Sequence, residues 1–179
     1  MDLLNFTSDV MALFLMWLFV NASIHKLQVD NRNYYQQLFS DYGLRNKNIA
    51  IALCYFLGVV EMTLAFTILF EATRSQAAIL SVLLLSVYLI GMTVQLIQGK
   101  RDMSCGCSGA NSQLKISWPL IIRNGVLIVL TLNCTLPGAG FPPQLWFAVL
   151  MASGFMILTY SCVENLIVNA QKISILRAY

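Results

Sequence analysis

Cys105 and Cys107, separated by a single glycine, are the residues whose spacing most favours chemistry in this chain. The cations Lys100 and Arg101 lie just before them. Neighbouring cations lower the pKa of a thiol and raise the fraction of thiolate, the form that undergoes exchange. A disulfide across this spacing closes a small ring, which Gly106 relaxes by its backbone freedom, so the bond should be strained and easily reduced. The motif therefore predicts a redox-active thiol pair.

A metal site is the competing chemistry for the same two thiols. Two thiolates supply half of a tetrahedral zinc shell, so His25 or Cys54 would have to complete it. His25 is the only histidine and ends an apolar segment. It could exchange protons near the thiols, or it could anchor a helix end at the membrane interface. Both alternatives remain open at this stage.

Two further cysteines are predicted to lie towards the same side of the protein as the Cys-Gly-Cys loop, which makes Cys54 and Cys162 candidate second thiols. Cys134 should lie on the opposite side. Free cysteine is also a common small apolar residue in helices, and packing is the favoured explanation for these three thiols.

Glu61 and Arg123 are ionisable residues within otherwise apolar segments. An unpaired charge in the hydrocarbon core costs several kcal/mol, so such residues are candidates for function. We expect Glu61 and Arg123 to form an ion pair, assisted by Asn124. The pair would serve either function or helix packing.

The composition indicates a membrane protein. Of the 179 residues, 58% are hydrophobic and 11% are charged, whereas soluble domains carry about 25% charged residues. The net charge of +3 is too sparsely distributed to form a nucleic-acid-binding face. The acidic N-terminal residues Asp2 and Asp9, with no basic segment before the first apolar run, argue against a cleaved signal peptide.

Five apolar segments are long enough to cross a bilayer as helices, which needs about 20 residues each. We therefore predict an all-α integral membrane bundle forming a single domain over residues 1–179. The predicted spans are Asp9–His25, Asn48–Phe70, Gln76–Gln98, Ile116–Asn133 and Gln144–Leu166.

The connections between these spans divide between two sides. Side A holds the loop Lys26–Lys47, the Cys-Gly-Cys loop and the C-terminal tail. Side B holds the N-terminus and the turns Glu71–Ser75 and Cys134–Pro143. Nine lysines and arginines lie on side A, and Arg74 alone lies on side B. Positive charge favours the cytoplasm, which places the thiol pair there, whereas a disulfide-forming role favours the periplasm.

Several short motifs together resemble the MauE family of DoxX-like membrane proteins. They include Ser23-Ile24-His25-Lys26-Leu27, the Glu61-bearing span, Cys105-Gly106-Cys107-Ser108-Gly109, Ser117-Trp118 and Arg123-Asn124. The resemblance extends over all five spans. Ser108 departs from the aromatic or apolar residue that is usual before the second glycine. The layout is also similar to that of the vitamin K epoxide reductase and DsbB type of membrane oxidoreductase.

The resemblance implies a bacterial inner-membrane protein that supports maturation of an exported, disulfide-rich subunit of methylamine dehydrogenase, with a thioredoxin-like partner. It makes Cys105 and Cys107 the redox pair. His25, Lys26, Glu61, Arg123 and Asn124 become supporting residues. A quinone cofactor is compatible with this role, but no motif for it can be read in the sequence. The alternative is a non-catalytic assembly chaperone whose Cys-Gly-Cys loop binds a partner or a metal.

Overall fold

The computed structural model describes residues 3–44, 46–99, 115–135 and 145–177, and all of the elements found there are helical apart from turns and a single bridge residue. Cys105 and Cys107 lie outside the described residues. The helices are α1 (Leu3–Leu27), α2 (Arg32–Asp41), α3 (Lys47–Thr67), α4 (Glu71–Ile97), α5 (Trp118–Leu132) and α6 (Trp146–Arg177), with short 3₁₀ turns at Val29–Asn31 and Asn133–Thr135.

Five of these segments are long and apolar enough to cross a membrane, which confirms the predicted helical membrane bundle. They are Asn5–Leu27, Lys47–Thr67, Glu71–Ile97, Trp118–Thr135 and Trp146–Ile173. Each overlaps one predicted span. Trp118 begins α5 with Pro119 next to it, where a missing backbone N–H costs nothing. The chain is a multi-pass membrane protein.

Helix α1 occupies the centre of the bundle and contacts α3, α5 and α6. Its residues Phe14, Leu15 and Phe19 are fully buried and pack with side chains from α3, α4 and α5. Outward-facing apolar residues, such as Phe56 on α3 and Phe155 on α6, are largely exposed. Such a distribution is typical of a bundle whose outer surface contacts lipid.

The segment between the first two spans is more ordered than the sequence indicated. The predicted loop Lys26–Lys47 contains the amphipathic helix α2, whose Tyr35 and Leu38 pack on Cys54 of α3. Gly58 lies beside Lys26 and Leu27 at the end of α1. The Cys54 sulfur lies 3.5 Å from the Lys26 carbonyl, so the residues of α3 before Cys54 extend beyond the end of α1. Helix α2 covers part of this extension.

The predicted turn Glu71–Ser75 is wrong, because α4 already begins at Glu71. Arg74 is consequently a helix residue, and its guanidinium lies 2.6 Å from the Asp9 carboxylate of α1. Both side chains are almost completely buried. This ion pair holds the side B end of α1 against the start of α4.

Candidate functional site

The loop that carries the thiol pair is bounded by two well-defined ends. Helix α4 ends just before Gly99, whose positive φ of 76° suits glycine and whose N–H donates to the Leu96 carbonyl. At the other end, the Gln171 side chain bonds both the N–H and the carbonyl of Lys115 and donates to the Ser117 hydroxyl. The end of α6 is thereby attached to the beginning of α5.

A buried charge cluster lies between α1, α3 and α4. The Lys26 ammonium lies 2.6 and 2.7 Å from the two carboxylate oxygens of Glu61. The Tyr88 hydroxyl donates to one of the same oxygens at 2.7 Å. Lys26 Nζ also lies 5.2 Å from the centre of the Tyr88 ring, within cation–π range. The three side chains form one neutral, hydrogen-bonded unit.

Two small residues bring these helices close enough for the cluster to form. A Cβ atom built on Gly58 would lie 3.1 Å from the Leu27 side chain and 3.3 Å from Lys26 Cβ. The Ser23 hydroxyl donates to the Gly58 carbonyl at 2.7 Å. Small residues allow close helix approach in membranes, and hydroxyls form hydrogen bonds across the contact. This contact positions Lys26 opposite Glu61, one helical turn from Gly58.

The predicted Glu61–Arg123 ion pair is wrong. Glu61 bonds Lys26 and Tyr88, whereas Arg123 lies 3.5 Å from Glu164 of α6 and stacks over the Tyr160 ring at 5.2 Å. Lys26 was expected to lie in a side A loop with the other cations. It is instead part of α1, with only 7% of its surface exposed.

The remaining supporting residues do not join the Lys26 cluster. Asn124 is buried, and its amide lies 3.7 Å from the Met92 sulfur. His25 is half-buried in the last turn of α1, and its backbone carbonyl accepts from the Asn31 side chain. The structure therefore separates the predicted supporting residues into a Lys26–Glu61 group and an Arg123–Asn124 group.

The three described cysteines occupy different environments. Cys54 is buried and lies 3.5 Å from the Lys26 carbonyl. Cys134 is completely buried at side B, where its sulfur lies 3.8 Å from the Ser8 carbonyl. Cys162 is exposed on α6. Among these described thiols, Cys54 alone lies next to the charge cluster.

A cavity of about 310 Å³ opens beside Lys26. Its wall is formed by residues of α1 to α4 and the turn after α2, and almost all of them are apolar or aromatic: Lys26, Tyr35, Leu38, Phe39, Tyr42, Leu44, Leu53, Leu57, Val87, Tyr88, Gly91 and Met92. Of the described residues in this lining, Lys26 alone is charged. The cavity thus combines a largely apolar wall with Lys26, a member of the buried charge cluster.

Sequence reasoning missed Tyr88 and the Asp9–Arg74 pair. Tyr88 lies far from the ends of its span, where interfacial tyrosines usually occur. Its central position was a signal that the hydroxyl must have a buried partner. Within the described ranges, no group of three or more His, Cys, Asp or Glu side chains is arranged to hold a metal.

The family model and two similar proteins identify the same family. The family model for the methylamine utilisation protein MauE matches residues 4–137. The methylamine utilization protein MauE of Paracoccus denitrificans is 27% identical over 120 residues, which cover 67% of this chain and 63% of that protein. The MauE protein of Paracoccus versutus is 27% identical over 152 residues, or 83% and 81%. No solved structure matches the chain significantly.

The family match includes the first four spans, the Cys-Gly-Cys loop, the Lys26–Glu61 pair and Arg123–Asn124, and it ends before α6, which carries Glu164. The alignment to the Paracoccus denitrificans protein covers less than two thirds of that relative. Most of the chain is nevertheless matched by the family model. The chain therefore belongs to the MauE family of methylamine utilisation proteins.

Proposed function

We propose that this protein acts in methylamine utilisation as a bacterial inner-membrane thiol–disulfide relay that supports maturation of an exported enzyme subunit. The observation that carries the proposal is the MauE family match, which includes the stretch with Cys105 and Cys107. The client is an exported protein with disulfides, such as an amine dehydrogenase subunit. A thioredoxin-like protein is the proposed exchange partner.

Cys105 and Cys107 are the exchanging residues in this proposal. In the oxidised state, a partner thiolate attacks one sulfur and forms a mixed disulfide. The second partner thiol then attacks that mixed disulfide, which leaves the partner oxidised and both cysteines reduced. Two electrons and two protons pass from the partner to the pair. The reverse sequence oxidises the pair and reduces the partner.

The described residues around the loop support this role by providing fixed anchors. The bonds from Gln171 to Lys115 hold one end of the loop, and the Gly99 cap of α4 defines the other. The buried groups Lys26–Glu61 and Arg123–Asn124 position the helices that bear these anchors. Cys54 and Cys162 are the proposed second thiols, and His25 is the proposed proton-exchanging residue.

The test compares client maturation and the thiol state of matched serine variants. Cys105→Ser and Cys107→Ser should each abolish client disulfide formation. Cys134→Ser is the control, because this buried thiol lies at the opposite end of the bundle. Alkylation followed by mass spectrometry should show the Cys105–Cys107 pair cycling between dithiol and disulfide in the wild type.

The opposing outcome identifies the alternative function. If the double variant Cys105→Ser/Cys107→Ser matures its client normally, the redox role is wrong. A double variant that loses maturation, in a protein whose wild-type pair never becomes oxidised, would instead indicate a non-catalytic assembly chaperone.

A further inference from the structure

We propose that the cavity beside Lys26 is a binding site for a lipid-soluble quinone, whose ring lies among the aromatic side chains and whose carbonyl accepts a hydrogen bond from Lys26. The volume of about 310 Å³ is at the lower end of the range for small-molecule sites, about 300–1,000 Å³. It suits a substituted ring, with an apolar tail continuing outside the cavity.

The hydrogen-bonding capacity of Lys26 indicates what kind of polar atom the ligand presents. An ammonium has three N–H donors and no acceptor. Two of these donors are directed at the two Glu61 oxygens. The third N–H does not bond Glu61; Lys26 Nζ lies near the face of the Tyr88 ring, and Lys26 lines the cavity. A ligand with a carbonyl oxygen can accept a hydrogen bond from this N–H, whereas a pure hydrocarbon cannot.

The charge of the site indicates that the ligand is neutral. Glu61 balances the charge of Lys26, and both side chains are nearly inaccessible. Among the described residues that line the cavity, Lys26 alone is charged. An anionic head group would therefore meet a cation already neutralised by its partner. A neutral ring carbonyl receives the hydrogen bond without adding a charge to the apolar site.

The position of the cavity indicates that the ligand arrives from the bilayer. Val87 lines the cavity, yet 63% of its surface is exposed on the membrane-spanning helix α4. The wall thus reaches the lipid-facing surface of the bundle. Tyr35, Phe39 and Tyr42 add aromatic surface to the wall that also contains Lys26. A planar ring carrying a long apolar chain fits both the wall and this opening.

A bound quinone would be the electron acceptor of the proposed thiol relay. This electron transfer rests on the proposed function, whereas quinone binding does not. Oxidation of the Cys105–Cys107 dithiol to a disulfide releases two electrons and two protons. A quinone takes up both to become the quinol, so the reaction balances without a further reactant. Binding itself requires neither cysteine.

The test measures binding of decylubiquinone to the purified full-length protein in detergent by equilibrium dialysis. Gly91 lines the cavity, and a Cβ there would meet only the Tyr42 ring at 3.6 Å. Gly91→Leu should therefore fill the site and weaken binding at least tenfold. Gly125→Leu is the matched control, because a Cβ at this helical glycine meets no atom within 4 Å. It should bind like the wild type.

A second probe and a labelling experiment keep the result decisive even if Gly91→Leu fails to fold. Decylbenzene, which has the same tail on a ring without carbonyls, should bind much more weakly than decylubiquinone. An azido-substituted quinone should label wild-type peptides containing residues 35–44, 53–57 or 87–92. Equal binding of both probes, or labelling confined to α5 and α6, would overturn the proposal.

A variant without Cys105 and Cys107 tests the quinone site independently of the proposed thiol relay. Cys105→Ser/Cys107→Ser should bind decylubiquinone with unchanged affinity while client maturation is lost. If Gly91→Leu loses decylubiquinone binding and the cysteine variant keeps it, the site is supported whether or not Cys105 and Cys107 exchange thiols. Absence of quinone binding by the wild type would remove the site and leave the thiol relay intact.

Discussion

Lys26 at the end of α1 and Glu61 within α3 form a two-pronged ion pair, with nitrogen–oxygen distances of 2.6 and 2.7 Å. The two residues are 35 positions apart in the sequence. Their pairing determines which face of α3 contacts α1 and leaves Lys26 at the wall of the cavity. The pair therefore links the packing of the bundle to its candidate ligand site.

Removing one member of this pair should destabilise the protein strongly. Lys26→Met leaves Glu61 with a buried uncompensated charge, and Glu61→Gln does the same to Lys26. Each loss should be about 3–5 kcal/mol in the free energy of unfolding. Denaturation of the detergent-solubilised protein measures it. Lys172→Met is the control, because Lys172 is exposed on α6.

The double variant provides the decisive comparison for this pair. Lys26→Met/Glu61→Gln should lose less stability than the sum of the single variants, because no isolated charge remains. Strict additivity across the cycle would show that the two side chains do not interact in the folded protein.

The other two ion pairs should differ in strength from each other. Asp9 and Arg74 are 1% and 2% exposed and lie 2.6 Å apart, whereas Glu164 is 24% exposed and lies 3.5 Å from Arg123. Arg74→Met should therefore cost about 3 kcal/mol or more, and Glu164→Gln should cost less, because its longer, partly exposed pair with Arg123 contributes less to the folded state. The same unfolding measurement compares them. A larger loss for Glu164→Gln would contradict this ranking.

A branched side chain at Gly58 should destabilise the contact between α1 and α3. A Cβ would already approach Leu27 to 3.1 Å, so the added methyl groups of Gly58→Val must separate α1 from α3. Overpacking of this kind costs about 1–3 kcal/mol. A lowered melting temperature in detergent is the expected result. Gly125→Val should leave the melting temperature nearly unchanged, since its Cβ meets open space.

The accuracy of sequence reasoning differed between the helices and their contacts. The five spans were predictable because the bilayer imposes a minimum apolar length on each helix. Helix α2 was missed, since it is short, amphipathic and polar overall. The partner of Glu61 was also missed, because it depends on how α1 is aligned with α3. That alignment depends on the Ser23–Gly58 contact, which no periodicity reveals.

Lys26 illustrates the same limitation. A lysine after a histidine at the end of an apolar run looks like an interfacial residue whose ammonium reaches water. In the structure Gly58 of α3 packs against the end of α1, so the Lys26 side chain lies inside the bundle and meets Glu61 and Tyr88 instead. The importance of the residue was indicated by the family resemblance, whereas its partner came from the fold.

Gln171 should control the order of the loop end that follows the thiol pair. Gln171→Ala removes the bonds to the N–H and carbonyl of Lys115, each contributing about 1 kcal/mol. Hydrogen exchange at the Lys115 amide should accelerate roughly tenfold or more. Asn169→Ala is the control, since Asn169 is exposed on the same helix. Unchanged exchange at Lys115 in Gln171→Ala would show that this anchor is not maintained in the membrane.

The distribution of charge predicts that Cys105 and Cys107 face the cytoplasm, where the pair would exchange with cytoplasmic thiols and reach the exported client only through a partner that passes electrons outward. Side A has nine lysines and arginines and side B has only Arg74. The structure sharpens this difference, because Lys26 and Arg74 are each neutralised by a buried carboxylate. Without these two residues, the sequence has eight lysines and arginines on side A and none on side B. Positively charged short connections stay in the cytoplasm. A membrane-impermeant maleimide should therefore label variants that retain only Cys105 or only Cys107 after cell lysis, but not in intact cells. Strong labelling before lysis would reverse the orientation and place the thiol pair on the oxidising face.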